Sequence, residues 1–195
     1  MHLLSLYKKK KSALNIFTDK ILVYKVKKGD KEAYGKLYLK YFDSIYRYIF
    51  FRVNQNRQDA EDITEIVFFK AWKGFEAFDE ERAGFRAWIY KITHNQVIDF
   101  YKKDNRKTTL DETVIDEKQN LEENVLQNLE HEHTLKAIEK LPLDQKEIII
   151  MKFIEGLSNQ EIGSVLGKKE NAVRALQFRA LKKLHKMLTS YGKPE

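Results

Sequence analysis

Helical periodicity constrains the fold of this chain more than any other feature of its sequence. In 195 residues there are only two prolines and eight glycines, the residues that most readily interrupt helices. Apolar residues recur three and four positions apart over long stretches, and no segment alternates apolar and polar residues for long enough to form a sheet strand. The sequence therefore predicts an all-α fold.

The charges divide the chain into segments. The formal net charge is +7, but residues 108–133 contain one lysine against eight acidic residues, and large apolar residues are sparse there. An acidic segment between two basic ones is typical of a flexible tether joining two polyanion-binding domains, although ordinary solvated surface charge also explains a basic chain. We predict a basic N-terminal tail over 1–18, a three- to four-helix domain over 19–107, a flexible acidic linker over 108–133, and a second small helical domain over 134–190.

Three helices and a loop are predicted for the first domain. Asp30 can cap a helix from Lys31 to about Val53, because a side-chain oxygen at this position accepts from a free backbone N–H of the first turn. A second helix is expected to open at Asp59, and a third to begin at Phe85. The polar residues between Gly74 and Gly84 are predicted to form a loop.

The second domain contains a helix-turn-helix pattern, preceded by core residues at Leu135, Ile138 and Leu141. Ser158 and Glu161 form a capping box, and Gly167 can end the short helix in a left-handed conformation. A longer basic helix follows, and a short apolar helix, a glycine turn and a long basic helix are how a protein places one helix in a DNA major groove. We expect these two helices to bury Ile162, Val165, Leu166, Val173, Leu176, Ala180, Leu181 and Leu184.

Several classes of function lack support in the sequence. There is no cysteine, and no phosphate-binding loop, catalytic triad or paired-carboxylate site is evident, so we expect neither an enzyme nor a cofactor. His131 and His133 are two positions apart and would point to different faces of a helix, so no metal site is expected. The apolar residues before the lysine run Lys8–Lys11 are too few for a signal peptide or a membrane span. We expect a cytoplasmic protein without membrane insertion.

Aromatic residues lie next to basic ones in the first domain, as in Trp72-Lys73, Phe85-Arg86 and Tyr101-Lys102. Most aromatic residues of a small domain belong to its core. Unstacked bases, however, need aromatic faces to lie on and cations along their backbone. The mixture therefore favours single-stranded nucleic acid as a ligand.

Three segments together carry a family resemblance: DAEDITEIVFFKAWKGFEAF, FRAWIYKITHNQVIDFYKK and LPLDQKEIIIMKFIEGLSNQEIGSVLG. In order and spacing they resemble the extracytoplasmic-function sigma factors of bacterial RNA polymerase, members of the sigma-70 family with region 2 and region 4 domains. The resemblance covers roughly 20–107 and 134–188. It implies a promoter-specificity subunit whose partners are core RNA polymerase and promoter DNA, both duplex and melted. The sequence leaves open whether an anti-sigma protein is a further partner.

The resemblance assigns roles to residues of the first domain. The helix from Asp59 matches the segment that docks on a coiled coil of the polymerase, which implies contacts by Asp59, Asp62, Glu65 and Phe69; the family often has a glutamate where Ile66 stands. The loop 76–84 matches the segment that captures a base flipped from the minus-ten element. The residues implied for this single strand are Lys73, Phe78, Arg86, Asn95, Tyr101 and Lys102.

Two positions of the third helix carry qualifications. Asn95 could pair with the edge of an extruded base, and the alternative is a buried amide bonded to backbone. His94 stands where the family usually has arginine, which weakens the phosphate contact expected there.

The second domain would read the minus-thirty-five element in the major groove. Lys169 stands where the family usually caps the recognition helix with serine or threonine, so its start is uncertain by one residue. Arginine pairs with guanine, and asparagine or glutamine with adenine. The residues implied for duplex contacts are Lys168, Lys169, Glu170, Asn171, Arg174, Gln177 and Phe178.

Two other functions remain as alternatives. A stand-alone helix-turn-helix regulator would bind a two-fold symmetric operator tightly without polymerase. An interaction module held at a lipid surface by Lys8–Lys11 would bind membranes without promoter preference.

Overall fold

The computed structural model describes residues 18–107 and 134–191. The predicted basic tail, apart from its last residue, and the acidic linker, with His131 and His133, lie outside these residues. The described residues form helices and no strand, which confirms the all-α prediction. The first domain consists of α1 (18–27), α2 (Lys31–Arg52), α3 (Arg57–Gly74) and α4 (Phe85–Lys107).

Local signals set the ends of these helices, with one correction. Asp30 caps α2 as predicted, its side chain accepting from the N–H of Ala33 at 3.0 Å. The prediction that Asp59 opens α3 was wrong, because Asn56 is the cap and accepts from the N–H of Asp59 at 3.2 Å. Asn54 and Gln55 both have positive φ angles, 53° and 60°, so the chain reverses immediately before Asn56. Asp59 therefore lies in the first turn of α3.

The core of the first domain is built from facing apolar residues of α2, α3 and α4. Leu37, Ile45 and Ile49 of α2 are fully buried, as are Val67 of α3 and Ile89 of α4. Burying a side chain of this size contributes roughly 1.5–3 kcal/mol. The three helices thus fix one another, and α4 is held with one face toward the second domain.

The second domain consists of α5 (134–139), α6 (Leu143–Ile149), α7 (Asn159–Leu166) and α8 (Glu170–Tyr191). A π-helical turn, Ile150–Ile154, continues α6. The predicted capping box of Ser158 and Glu161 is present, and Gly167 ends α7 with φ of 65°.

Side-chain burial in the second domain follows the prediction with one exception. Leu181 was expected in the core but is 43% exposed, whereas Val173 and Ala180 on the same helix are fully buried. The difference follows from helix geometry, because Leu181 lies about 100° around the helix axis from Ala180.

The two domains pack against each other rather than standing apart. One hydrophobic cluster runs through both, joining residues such as Tyr48 and Tyr90 to Ile148, Ile150 and Met151. Helix α4 lies along α7, and α2 contacts the π-helical turn. The sequence gave no sign of this contact, which places the predicted single-strand residues beside the second domain.

Gly163 makes the helix-turn-helix compact, since a Cβ there would lie 2.6 Å from the carbonyl oxygen of Lys168. We expect Gly163→Ala to destabilise the protein by roughly 1–3 kcal/mol, because a backbone atom cannot move aside as a side chain can. Denaturant unfolding followed by circular dichroism measures the change. The control is Gly35→Ala in α2, where a Cβ meets nothing within 4 Å, and a gain of roughly 0.5–1 kcal/mol is expected. Equal effects of the two substitutions would contradict the steric argument.

Candidate nucleic-acid interface

The reading face of α8 points to solvent. Helix α7 packs across it through Ile162 and Val165, which are fully buried, as is Val173 of α8. Arg174 donates to the carboxylate of Glu170 at 2.7 Å, one helical turn earlier, and both side chains are largely exposed. Six of the seven residues predicted to contact duplex DNA are exposed at the start of this helix: Lys168, Lys169, Glu170, Asn171, Arg174 and Phe178.

Gln177, the seventh, is partly buried, and its side-chain amide donates to the side-chain oxygen of Asn159 at 2.9 Å. Asn159 is the first residue of α7. The bond therefore ties the recognition helix to the helix that supports it. Base reading by Gln177 stays a prediction, and it would require this bond to be shared or exchanged.

The residues predicted to dock on polymerase form an outward stripe of α3. Asp62 and Glu65 are exposed, and Asp59 is partly buried in the first turn. Phe69 is 62% exposed, with the ammonium of Lys73 5.5 Å from its ring centroid. Acidic and apolar groups thus alternate along one accessible surface.

An aromatic ladder on α2, not recognised in the sequence, lies beside this stripe. Its members recur at every fourth position, a spacing that could have revealed them: Tyr34, Tyr38, Phe42, Tyr46 and Phe50. Neighbouring rings of Phe42 and Tyr46 are 6.3 Å apart and nearly parallel, and Tyr38 stacks edge-on against Phe68 of α3 at 4.6 Å. The ladder joins α2 to α3 and continues the partly exposed apolar surface.

Three of the predicted single-strand residues are accessible. Asn95 is exposed on α4 and has no hydrogen bond among the described residues, so the alternative of a buried amide is wrong. Lys102 on the same helix and Lys73 at the end of α3 are also exposed. Tyr101 is partly buried and donates its hydroxyl to the carbonyl of Arg52.

Phe78 and Arg86 are placed differently. Phe78 is 2% exposed, packed among Phe75, Phe85 and Trp88, so its ring has no free face for a base in this arrangement. The guanidinium of Arg86 donates to the backbone carbonyls of Glu155 and Gly156 in the second domain. Their contacts with a melted strand stay predictions.

Glu155 is the first of two carboxylates buried between the domains. Its side chain is 0% exposed. Arg47 of α2 donates to both of its oxygens, at 2.8 and 2.9 Å, and the hydroxyl of Tyr90 on α4 donates at 3.0 Å. Burial and the Glu155 charge raise the pKa of Tyr90 above its usual range, so this tyrosine remains a donor.

Glu147 is the second. Its carboxylate lies 2.5 Å from Nδ1 of His94, 2.6 Å from the hydroxyl of Tyr48 and 3.5 Å from Arg52. Burial acts to raise the pKa of Glu147, but the His94 hydrogen bond and the Arg52 charge outweigh it and hold the pKa below its usual value. The acid is therefore charged at neutral pH, and His94 contacts it in place of a phosphate. The signal in the sequence was an acid at each end of the apolar run EIIIMKFIE.

Two sites absent from the predictions are also absent among residues 18–107 and 134–191. No group of three or more histidine or acidic side chains there could hold a metal ion. No helix in these ranges is long and apolar enough to cross a membrane.

Known proteins match the chain over both domains. Residues 37–107 match the family model for sigma-70 region 2, and residues 132–184 match the one for sigma-70 region 4. The chain is 34% identical over 173 residues to the ECF RNA polymerase sigma factor BldN of Streptomyces coelicolor, covering 86% of this chain and 64% of BldN. It is 32% identical over 178 residues to the ECF RNA polymerase sigma factor SigW of Bacillus subtilis, covering 85% of this chain and 94% of SigW.

A solved structure shares the fold. The sigma factor RpoE of Bartonella quintana, in complex with the anti-sigma factor NepR, superposes with a TM-score of 0.64 at 21% identity, covering 80% of this chain and 96% of that one. The two family models match in the order region 2, then region 4, and the relatives belong to one group. The chain therefore belongs to the extracytoplasmic-function sigma factors of the sigma-70 family, which are not enzymes themselves but direct RNA polymerase to promoters and to the initiation of transcription.

Proposed function

We propose that this sigma factor divides promoter recognition between its domains, with α8 reading the minus-thirty-five element as duplex and the first domain binding the minus-ten element as a single strand. The observation that carries the proposal is the exposed start of α8 on a helix-turn-helix whose own core is closed. A helix supported in this way enters a major groove with its first turns against the base edges.

Arg174 and Asn171 are the proposed base readers of the duplex element. Both are exposed on the first turns of α8. A bidentate contact from arginine to guanine or from asparagine to adenine discriminates by roughly 1–3 kcal/mol. The Glu170 carboxylate that pairs with Arg174 orients its guanidinium before DNA arrives. Lys168 and Lys169, just before the helix, would contact phosphates and set position rather than sequence.

Asn95 is the proposed reader of the minus-ten strand. It is exposed, its amide is unengaged among the described residues, and Lys102 lies two turns further along α4. An amide can pair with the edge of an extruded base, and a lysine can neutralise the adjoining phosphate. Binding of the single strand would offset the unstacking cost of a few kcal/mol per step without ATP.

The α3 stripe is the proposed docking surface for core polymerase. Asp62 and Glu65 supply negative charge, and Phe69 supplies an apolar anchor that is 62% exposed. Aromatic anchors dominate the affinity of such interfaces, whereas charges at the rim mainly raise the association rate. A basic helical partner fits this chemistry. Docking on polymerase implies a cytoplasmic location.

We also propose an anti-sigma protein as a regulatory partner. The support is that the RpoE relative, which shares this fold, is bound to one.

Transcription from a promoter library tests the division of tasks. With core polymerase free of other sigma factors, the protein is expected to start RNA synthesis at specific sites. Arg174→Ala should relax the preference at one upstream base pair, by roughly 1–3 kcal/mol, and Asn95→Ala should alter the preference at one minus-ten base. Sequencing of the initiated transcripts measures both effects.

The matched control for Arg174 is Arg179→Ala, an exposed arginine of α8 on a different face of the helix. Its loss should weaken initiation evenly across sequences. A protein that gives no specific starts with polymerase, and binds a symmetric duplex site tightly alone, would be a stand-alone regulator instead.

Competition for core polymerase tests the docking surface. Phe69→Ala is expected to weaken core binding by roughly tenfold, because truncating an aromatic anchor typically costs more than 1 kcal/mol. Leu39→Ala is the control, since Leu39 is 76% exposed on α2 and lies off the stripe. Equal losses in the two variants, or none in either, would show that the α3 stripe is not the docking surface.

A further inference from the structure

We propose that Glu147 and Glu155 form a latch that holds the second domain closed over α4 and withholds part of the first domain's single-strand surface from DNA. The latch consists of these two carboxylates and the first-domain donors that they meet: Arg47, Tyr48, Arg52, Tyr90 and His94. The inference rests on the proposed role of α4 in binding the melted strand and adds a means of regulating it.

The two halves of the latch belong to different domains. In the described part of the chain, every side-chain donor on the Glu155 carboxylate comes from the first domain, namely Arg47 and Tyr90. The same holds for Glu147, which meets His94, Tyr48 and Arg52. The contacts join residues between 53 and 108 positions apart. Nothing within either domain replaces them.

Burial makes this contact all-or-none. The side chains of Glu155 and Glu147 are 0% and 8% exposed, and that of Arg52 is 6% exposed. A buried charge is strongly unfavourable unless it is paired and hydrogen-bonded. In the closed form these requirements are met, and with the domains fully apart water meets them. A partly open form would leave charges both unpaired and buried, so the domains are expected to exchange between two discrete states.

The closed state occupies cations that a strand would need. Arg86 donates to the carbonyls of Glu155 and Gly156, and the ammonium of Lys91 donates to the carbonyl of Val165 at 2.6 Å near the end of α7. The carbonyl end of a helix carries partial negative charge and attracts cations. The second domain therefore covers these two residues with groups of the same sign as phosphate. DNA and the second domain cannot both hold them.

The latch leaves the other reader free. Arg174 and Asn171 on α8 are exposed in the closed form, and Asn95 on α4 is exposed as well. Closure therefore withholds the cationic side of α4, while the duplex-reading face stays accessible. We infer that the latch limits single-strand binding rather than duplex binding.

The absence of cysteine from the chain makes the test direct. Leu39→Cys on α2 and Lys186→Cys on α8, both at exposed positions, introduce two dye sites, one in each domain. Energy transfer between the dyes reports the open fraction of the full chain. The latch variants are Glu155→Gln and Arg47→Gln. Arg47 is the safer of the two for folding, since its side chain is 47% exposed.

The matched control is Glu139→Gln. Glu139 also contacts the first domain, through the side-chain amide of Gln55, but this contact is exposed. The substitution is chemically the same as Glu155→Gln and removes an interdomain contact without stranding a buried charge. Little change in energy transfer is expected.

Affinity for a labelled pool of random single-stranded DNA is measured on the same proteins. If only the open form binds, apparent affinity is proportional to the open fraction. Both latch variants are expected to raise the open fraction by roughly tenfold or more, and the affinity by the same factor. Agreement of the two fold-changes, with Glu139→Gln unchanged in both, is the result the latch requires.

Two results would overturn the proposal. Unchanged energy transfer in both Glu155→Gln and Arg47→Gln would show that the carboxylates do not hold the domains together. Opening without any gain in affinity would show that the covered surface does not bind the strand. Neither measurement involves polymerase. If the wild-type protein directed no specific initiation but the variants opened and bound DNA as described, the latch would be supported and the proposed promoter role would fail.

Discussion

The desolvation of two carboxylates governs how the halves of this sigma factor are related. Glu147 and Glu155 stand at the ends of an apolar run that must be buried, and their charges are buried with it. Burial of an ion is tolerated only where hydrogen bonds and opposite charge replace water. Here the first domain supplies both. The contact between α4 and α7, and with it the division between covered and accessible surfaces, depends on this requirement.

Features encoded by neighbouring residues were predictable from the sequence. The cap at Asp30, the capping box of Ser158 and Glu161 and the left-handed turn at Gly167 each involve residues within a few positions of one another, and all three are present. The start of α3 was mispredicted at Asp59 because two non-glycine residues with positive φ, Asn54 and Gln55, moved the cap to Asn56. Such a conformation depends on the packing of α2 against α3, which a local pattern does not contain.

Features that depend on long-range packing were not predictable in the same way. Proximity in sequence to basic residues indicated that Phe78 and Arg86 would face DNA, but the pattern does not distinguish a core ring from an accessible one. Phe78 packs with Phe75 and Trp88, and Arg86 faces the second domain. Asn95 and Arg174, by contrast, were predicted as binding residues and are exposed, because their outward position follows directly from helical periodicity.

The π-helical turn between the two carboxylates acts as a register device. In a uniform α-helix, residues eight positions apart differ by about 80° around the axis, so Glu147 and Glu155 would face different directions. The wider turn Ile150–Ile154 accommodates one extra residue and brings both side chains toward the first domain. A shift of a single residue in this turn would leave each domain intact and yet turn Glu155 away from Arg47. The length of one helical turn, rather than any particular side chain, thus sets whether the two domains can recognise each other.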